Sequence, residues 1–154
     1  ALVNASSYRS LFAGPWEPWR EPRMTVFEPT PEAIQAYLNT SKQTLAALLT
    51  NQSATDHFVG AHVAPTMRLW AWDLMNLASQ RYGGSFGTLA GTRVRAVTDY
   101  SKVWLVGPSG VAAEVRAPVD PGGNSGGCAS SINPVEHDCQ DYPVVGQELH
   151  GVLL

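Results

Sequence analysis

At 154 residues the chain has the usual size of one domain and is long enough to bury a core of its own. A net charge of −3, a pI near 5.7 and only ten Lys and Arg argue against a nucleic-acid-binding surface, which needs clustered basic side chains. The 15% charged share lies below the roughly 25% usual in soluble proteins, while 44% hydrophobic residues argue against disorder, and no apolar run approaches the about 20 residues that span a bilayer.

The first 29 residues are dominated by Phe12-Ala13-Gly14-Pro15-Trp16-Glu17-Pro18-Trp19-Arg20-Glu21-Pro22, whose prolines rule out a continuing helix or a central strand. Residues 1–29 therefore read as an extended arm, with one short strand at Met24-Thr25-Val26-Phe27. A polyproline-like segment repeats every three residues, which puts Trp16 and Trp19 on one side of it. The first residues, from Ala1 to Ser7, show no charged leader followed by an apolar stretch, so the chain as given is expected to be soluble. Cytoplasmic and extracytoplasmic settings, secreted or virion, are all compatible with it.

Thr30-Pro31-Glu32 is a helix start: a capping hydroxyl, a proline at the first helical position and an acid in the first turn. Ile34, Tyr37, Leu38, Leu45, Leu48 and Leu49 follow on one stripe, which predicts a single helix over about 31–50. From Asn51 to Ala64 the pattern predicts one short turn and a loop. Pro65 then opens a second helix that Gly83-Gly84 ends, with Met67, Trp70, Ala71, Leu74, Leu77 and Ala78 facing inward and Leu69 and Trp72 pointing elsewhere. After Gly84 the period changes to two. Strands are expected near 91–98, at Val103-Trp104-Leu105-Val106 and over 111–117, the last two joined by Gly107-Pro108-Ser109-Gly110. From Pro118 the chain reads as an aperiodic tail.

The expected fold is α+β: two main helices on a small antiparallel meander (30–117), an extended N-terminal arm (1–29) and a loop-rich C-terminal tail (118–154) of the same domain. Arms and tail together are too long to be ordinary loops. That favours a non-enzymatic structural or interaction subunit of a larger assembly, a viral particle or a multiprotein complex, in homo- or hetero-oligomeric contact with other subunits. Trp16, Trp19, Leu69, Trp72, Val152, Leu153 and Leu154 are its candidate contact anchors.

Other signals support two alternatives. Asp56, His57, His62 and Asp73 are the densest titratable group, and a His beside a carboxylate suits a general base. A small-molecule enzyme or binding protein with a cone-type pocket around His57, His62, Trp70 and Asp73, resembling the ketosteroid-isomerase architecture, is the second reading, with His57 and Asp73 as catalytic candidates. The competing account of the same residues is a turn cap and core or loop histidines. Cys128 and Cys139 close a short loop whose oxidation would restrict the unfolded chain by on the order of 3 kcal/mol. Three glycosylation-type sequons occur, at Asn4-Ala5-Ser6, Asn39-Thr40-Ser41 and Asn51-Gln52-Ser53, where composition alone gives about one. A secreted, disulfide-linked glycoprotein module is thus the third reading. Gly123-Asn124-Ser125-Gly126-Gly127 superficially resembles the nucleophile loop of chymotrypsin-like proteases, with Asn124 where an Asp belongs. The likeness covers five residues, and helix is expected where that fold needs its first barrel, so a glycine-rich loop is the better account. No metal site and no cofactor are expected: Cys128, His137, Asp138 and Cys139 lack the paired spacing of structural zinc, and phosphate-loop and dinucleotide patterns are missing.

Overall fold

The computed structural model describes residues 1–13, 24–69, 71–80, 84–99, 102–116 and 144–154. Two short helices, α1 (Leu2–Ala5) and α2 (Arg9–Phe12), precede β1 (Met24–Pro29). Three helices follow, α3 (Pro31–Ser41), α4 (Leu45–Thr50) and α5 (Gln52–Ala61), then β2 (Val63–Pro65) and α6 (Ala71–Ser79). The strands β3 (Ser85–Gly87), β4 (Arg93–Asp99), β5 (Lys102–Val106), β6 (Ala112–Arg116) and β7 (Val144–His150) complete the chain.

The expectation of two helices on a small meander is overturned. The seven strands among the described residues join one sheet in the order β2-β1-β7-β6-β5-β4-β3, antiparallel except where β1 runs parallel to β7. Just beyond β3, the Leu89 N–H donates to the Val63 carbonyl of β2 at 3.0 Å, so the two edges meet and the sheet curls nearly into a barrel. The presumed arm supplies β1, and the presumed tail supplies β7, which sits between β1 and β6. Neither is peripheral. The β4-β5-β6 meander occupies only one part of this sheet.

The single helix expected over 31–50 is two helices. Lys42 adopts the left-handed conformation (φ 53) and its N–H closes α3 on Leu38 and Asn39. Thr44 then caps α4 by accepting from the Ala47 N–H at 3.1 Å. Asn51 ends α4 and begins α5, its side chain accepting from Ala54 N–H at 3.1 Å, so the expected loop is a ten-residue helix. Pro65 opens no helix; it ends β2, and α6 starts at Ala71.

Two cores result. Inside the sheet, Phe27, Ala64, Leu69, Leu74, Ala78, Phe86, Val94, Ala96, Val103, Leu105, Ala113, Leu149 and Leu153 pack together, with Phe27 stacked on Phe86 at 5.4 Å between ring centroids. α6 closes this core through Leu74 and Ala78. Outside it, α1, α3, α4 and α5 form a helical layer with its own cluster of Leu38, Leu48 and Phe58, joined by Leu2, Ile34, Tyr37, Val152 and Leu154. Buried hydroxyls tie segments across these layers. Thr25 Oγ1 donates to the Met67 carbonyl at 3.0 Å and accepts from the Leu69 N–H at 2.7 Å, and Thr55 Oγ1 donates to the Leu48 carbonyl at 2.6 Å.

The segment after β7 lies so close to Gly107 that a Cβ there would sit 2.9 Å from the Leu153 carbonyl carbon. Backbone must move to admit it. Gly107→Ala is therefore expected to destabilise the fold by roughly 1–3 kcal/mol, read from the urea midpoint; an unchanged midpoint would mean that the 152–154 segment is not packed there.

Candidate interaction surface

The titratable cluster singled out in the sequence is divided by the fold. His57 is exposed on α5, whereas His62, at the end of that helix, is 3% exposed. Its Nδ1 lies 2.7 Å from the Phe58 carbonyl, and its Nε2 accepts the Leu153 N–H at 3.0 Å. A backbone donor on Nε2 fixes the proton on Nδ1, so His62 is a neutral clasp holding the C-terminal segment. Burial pushes its pKa down to about 4, against a smaller upward pull from the Phe58 carbonyl. Asp56 is likewise occupied. It accepts from the Ser7 N–H at 2.7 Å, the Ser7 hydroxyl at 2.8 Å and Gln52 Nε2 at 2.9 Å, and these bonds, the Ser7 N–H foremost, hold its carboxyl below the usual range. Asp56 thus pins the N-terminal residues to α5. Asp73 is half-buried in the first turn of α6, which packs on β4 and β5. Among the described residues no group of three His, Cys, Asp or Glu is placed to hold a metal ion.

The proposed contact anchors are also divided. Leu153 is fully buried and Leu69 is 6% exposed, so both are core side chains and neither presents a surface. Val152 and Leu154 are half-buried against the helical cluster. Trp16, Trp19, Trp70, the 123–127 glycine-rich stretch, Cys128 and Cys139 lie outside the described residues, as does the side chain of Trp72.

The strands present a further surface, outside the residues singled out in the sequence. Val94, Ala96, Val103, Leu105 and Ala113 point into the core, which sends their neighbours outward. Across the outer face the register aligns Val97, Trp104, Glu114 and His150 on four successive strands. Trp104 is half-buried within a frame of charge. Lys102 Nζ lies 5.8 Å over its ring and 3.1 Å from Glu114 Oε1, while Arg116 reaches Glu114 Oε2 at 3.4 Å and His150 Nε2 meets Glu148 Oε1 at 2.8 Å. Lys102 first, and Arg116 after it, hold the Glu114 carboxyl below its ordinary range. A flat aromatic inside a polar rim is the usual anatomy of a protein contact. The signal was in the sequence: alternation in Lys102-Val103-Trp104-Leu105 puts Trp104 on the Lys102 side, opposite two aliphatic core residues.

Comparison with known proteins agrees with this architecture. The family description "Fasciclin domain" matches residues 2–124. Among solved structures, the FAS1 domain pair of the insect cell adhesion molecule fasciclin I superimposes with a TM-score of 0.62 at 12% identity, over 99% of this chain. The chain spans 45% of the length of that solved chain, and the likeness is one of fold. A search of curated proteins gives no match.

Proposed function

Because the chain belongs to the fasciclin-domain family, we propose that it is a non-enzymatic protein-interaction module of the adhesion kind, with the outer face around Trp104 as its contact surface. The observation that carries this reading is the Trp104 row: a half-buried indole on a rigid, fully hydrogen-bonded strand, framed by Lys102, Glu114 and Arg116. Rigid strands hold such an anchor at low entropic cost, which is what a binding surface needs. The insect structural neighbour is named as a cell adhesion molecule, and the same kind of role suits a domain whose buried histidine and clasped Asp56 serve structure. Trp16, Trp19 and Trp72 remain candidate contact side chains by their sequence character. The viral-particle form of an assembly role draws no support from the fold; contact with other protein chains does.

Beads coated with the chain and added to cells of its source test this. Trp104→Ala is expected to weaken attachment on the order of thirtyfold, from the ~2 kcal/mol carried by an aromatic anchor, with the far-ultraviolet circular dichroism unchanged. Undiminished attachment by the folded variant would move the contact surface elsewhere. Light scattering over a concentration series distinguishes a second copy of the chain from a different partner.

A further inference from the structure

The three sequons, scattered over fifty residues of sequence, all fall on the helical layer of the fold. Asn4 lies on α1, Asn39 in the last turn of α3 and Asn51 at the cap of α5, all exposed and all on the helical layer. Two of them touch: Gln52, the middle residue of one sequon, donates from Nε2 to the carbonyl of Ala5, the middle residue of another, at 3.1 Å. The remaining asparagines, Asn76, Asn124 and Asn133, are not followed by the acceptor pattern, and Asn133 precedes a proline. No sequon falls on a strand.

We propose that Asn51 and Asn39 carry N-linked glycans, with Asn4 as a third attachment point, so that sugar covers the helical layer and the strand face around Trp104 stays open to protein. This rests on the extracellular adhesion reading above, because the sugar donor is a lipid-linked oligosaccharide of the secretory lumen. Transfer forms a bond from the asparagine Nδ2 to the anomeric carbon of the oligosaccharide. It breaks that carbon's bond to the lipid pyrophosphate, which departs as the anion while the amide gives up one proton.

The side-chain geometry suits the product. At Asn51 the Ala54 N–H requires an acceptor, which fixes Oδ1 inward on the cap and Nδ2 outward. Among the described residues that Nδ2 makes no hydrogen bond, so replacing one of its protons by sugar leaves the cap intact. Asn39 repeats the arrangement, its Oδ1 accepting from Gln35 Nε2 at 2.9 Å while the residue stays exposed. A bulky, solvated group therefore fits at both positions without displacing a packed atom.

The test is intact-mass analysis of the chain secreted from a glycosylating eukaryotic cell line, before and after peptide N-glycosidase in heavy-oxygen water. The expected result is at least two glycans, with Asn39 and Asn51 converted to labelled aspartate. Asn51→Gln would also remove the helix cap, so Ser53→Ala and Ser41→Ala are the informative variants; each should lose one glycan and keep the fold. Folded, secreted chain with unmodified Asn39 and Asn51 overturns the proposal. The bead assay separates the two readings: attachment by an unglycosylated chain sinks only the glycan assignment, and a glycosylated chain that fails to attach sinks only the adhesion role.

Discussion

Lowering the pH from 7 to 5 is expected to remove about 2 kcal/mol of folding stability through His62 alone. The imidazole titrates near 6.5 in the unfolded chain and is pushed to about 4 in the fold, so the contribution is fully present above pH 6.5 and is lost as pH falls toward 4. Between those values the unfolded chain holds a proton that the native state refuses. Asp56 and Glu114 act in the same direction but lower: their carboxyls are held below the usual range and weaken the fold only as the pH drops through it. Of these three groups only the histidine titrates between pH 6.5 and 5. Protonation would set two donors, Nε2–H and the Leu153 N–H, face to face in a buried site, and the C-terminal segment is where the fold should open first. Urea midpoints at pH 7 and 5 check this, together with amide exchange at Leu153. His62→Gln keeps a donor and an acceptor but cannot titrate, so it should start less stable at pH 7 and show a flatter profile. Equal slopes for both proteins would assign the acid sensitivity to another group.

The strands between Arg93 and Arg116 were legible because their side chains alternate and the Pro108-containing turn is a local signal. β7 was not. Val144 to His150 shows no clean alternation, and its pairing with β1 joins residues more than a hundred positions apart, a contact that tertiary packing alone dictates. The break at Lys42 was written in the sequence, since Thr44 is a good cap, but the apolar stripe from Ile34 to Leu49 runs through it; Asn51 is a cap as well, yet the residues after it carry too weak a stripe to announce α5. Trp16 and Trp19 stand out in the sequence by their proline setting, whereas Trp104 sits in a continuous apolar run between Val103 and Leu105. The sheet fixes which face is inside and so sets Trp104 opposite Val103 and Leu105. His57 and His62 form one titratable group in the sequence, yet five positions along a helix end turn one outward and bury the other.

Leu153→Ala is expected to destabilise the fold by about 3–5 kcal/mol, the upper part of the range for a buried leucine. The cost depends on whether the site can collapse, and here it cannot. The Leu153 N–H is held by His62 at 3.0 Å, the Leu154 carbonyl accepts from the Ser109 N–H at 3.3 Å, and the Gly107 backbone closes the other side. A cavity opened beneath Leu153 would stay open, lined by a core cluster that includes Phe27, Leu105 and Leu149. Such a loss approaches the whole stability of a marginal domain, about 5–15 kcal/mol, so the variant should melt well below the parent and lose its partner by unfolding. A surface anchor would behave differently: the fold would keep its urea midpoint while attachment alone fell. A midpoint shift under about 1 kcal/mol with lost attachment would return Leu153 to the contact surface, and would take with it the account of His62 as the clasp of the C-terminal segment.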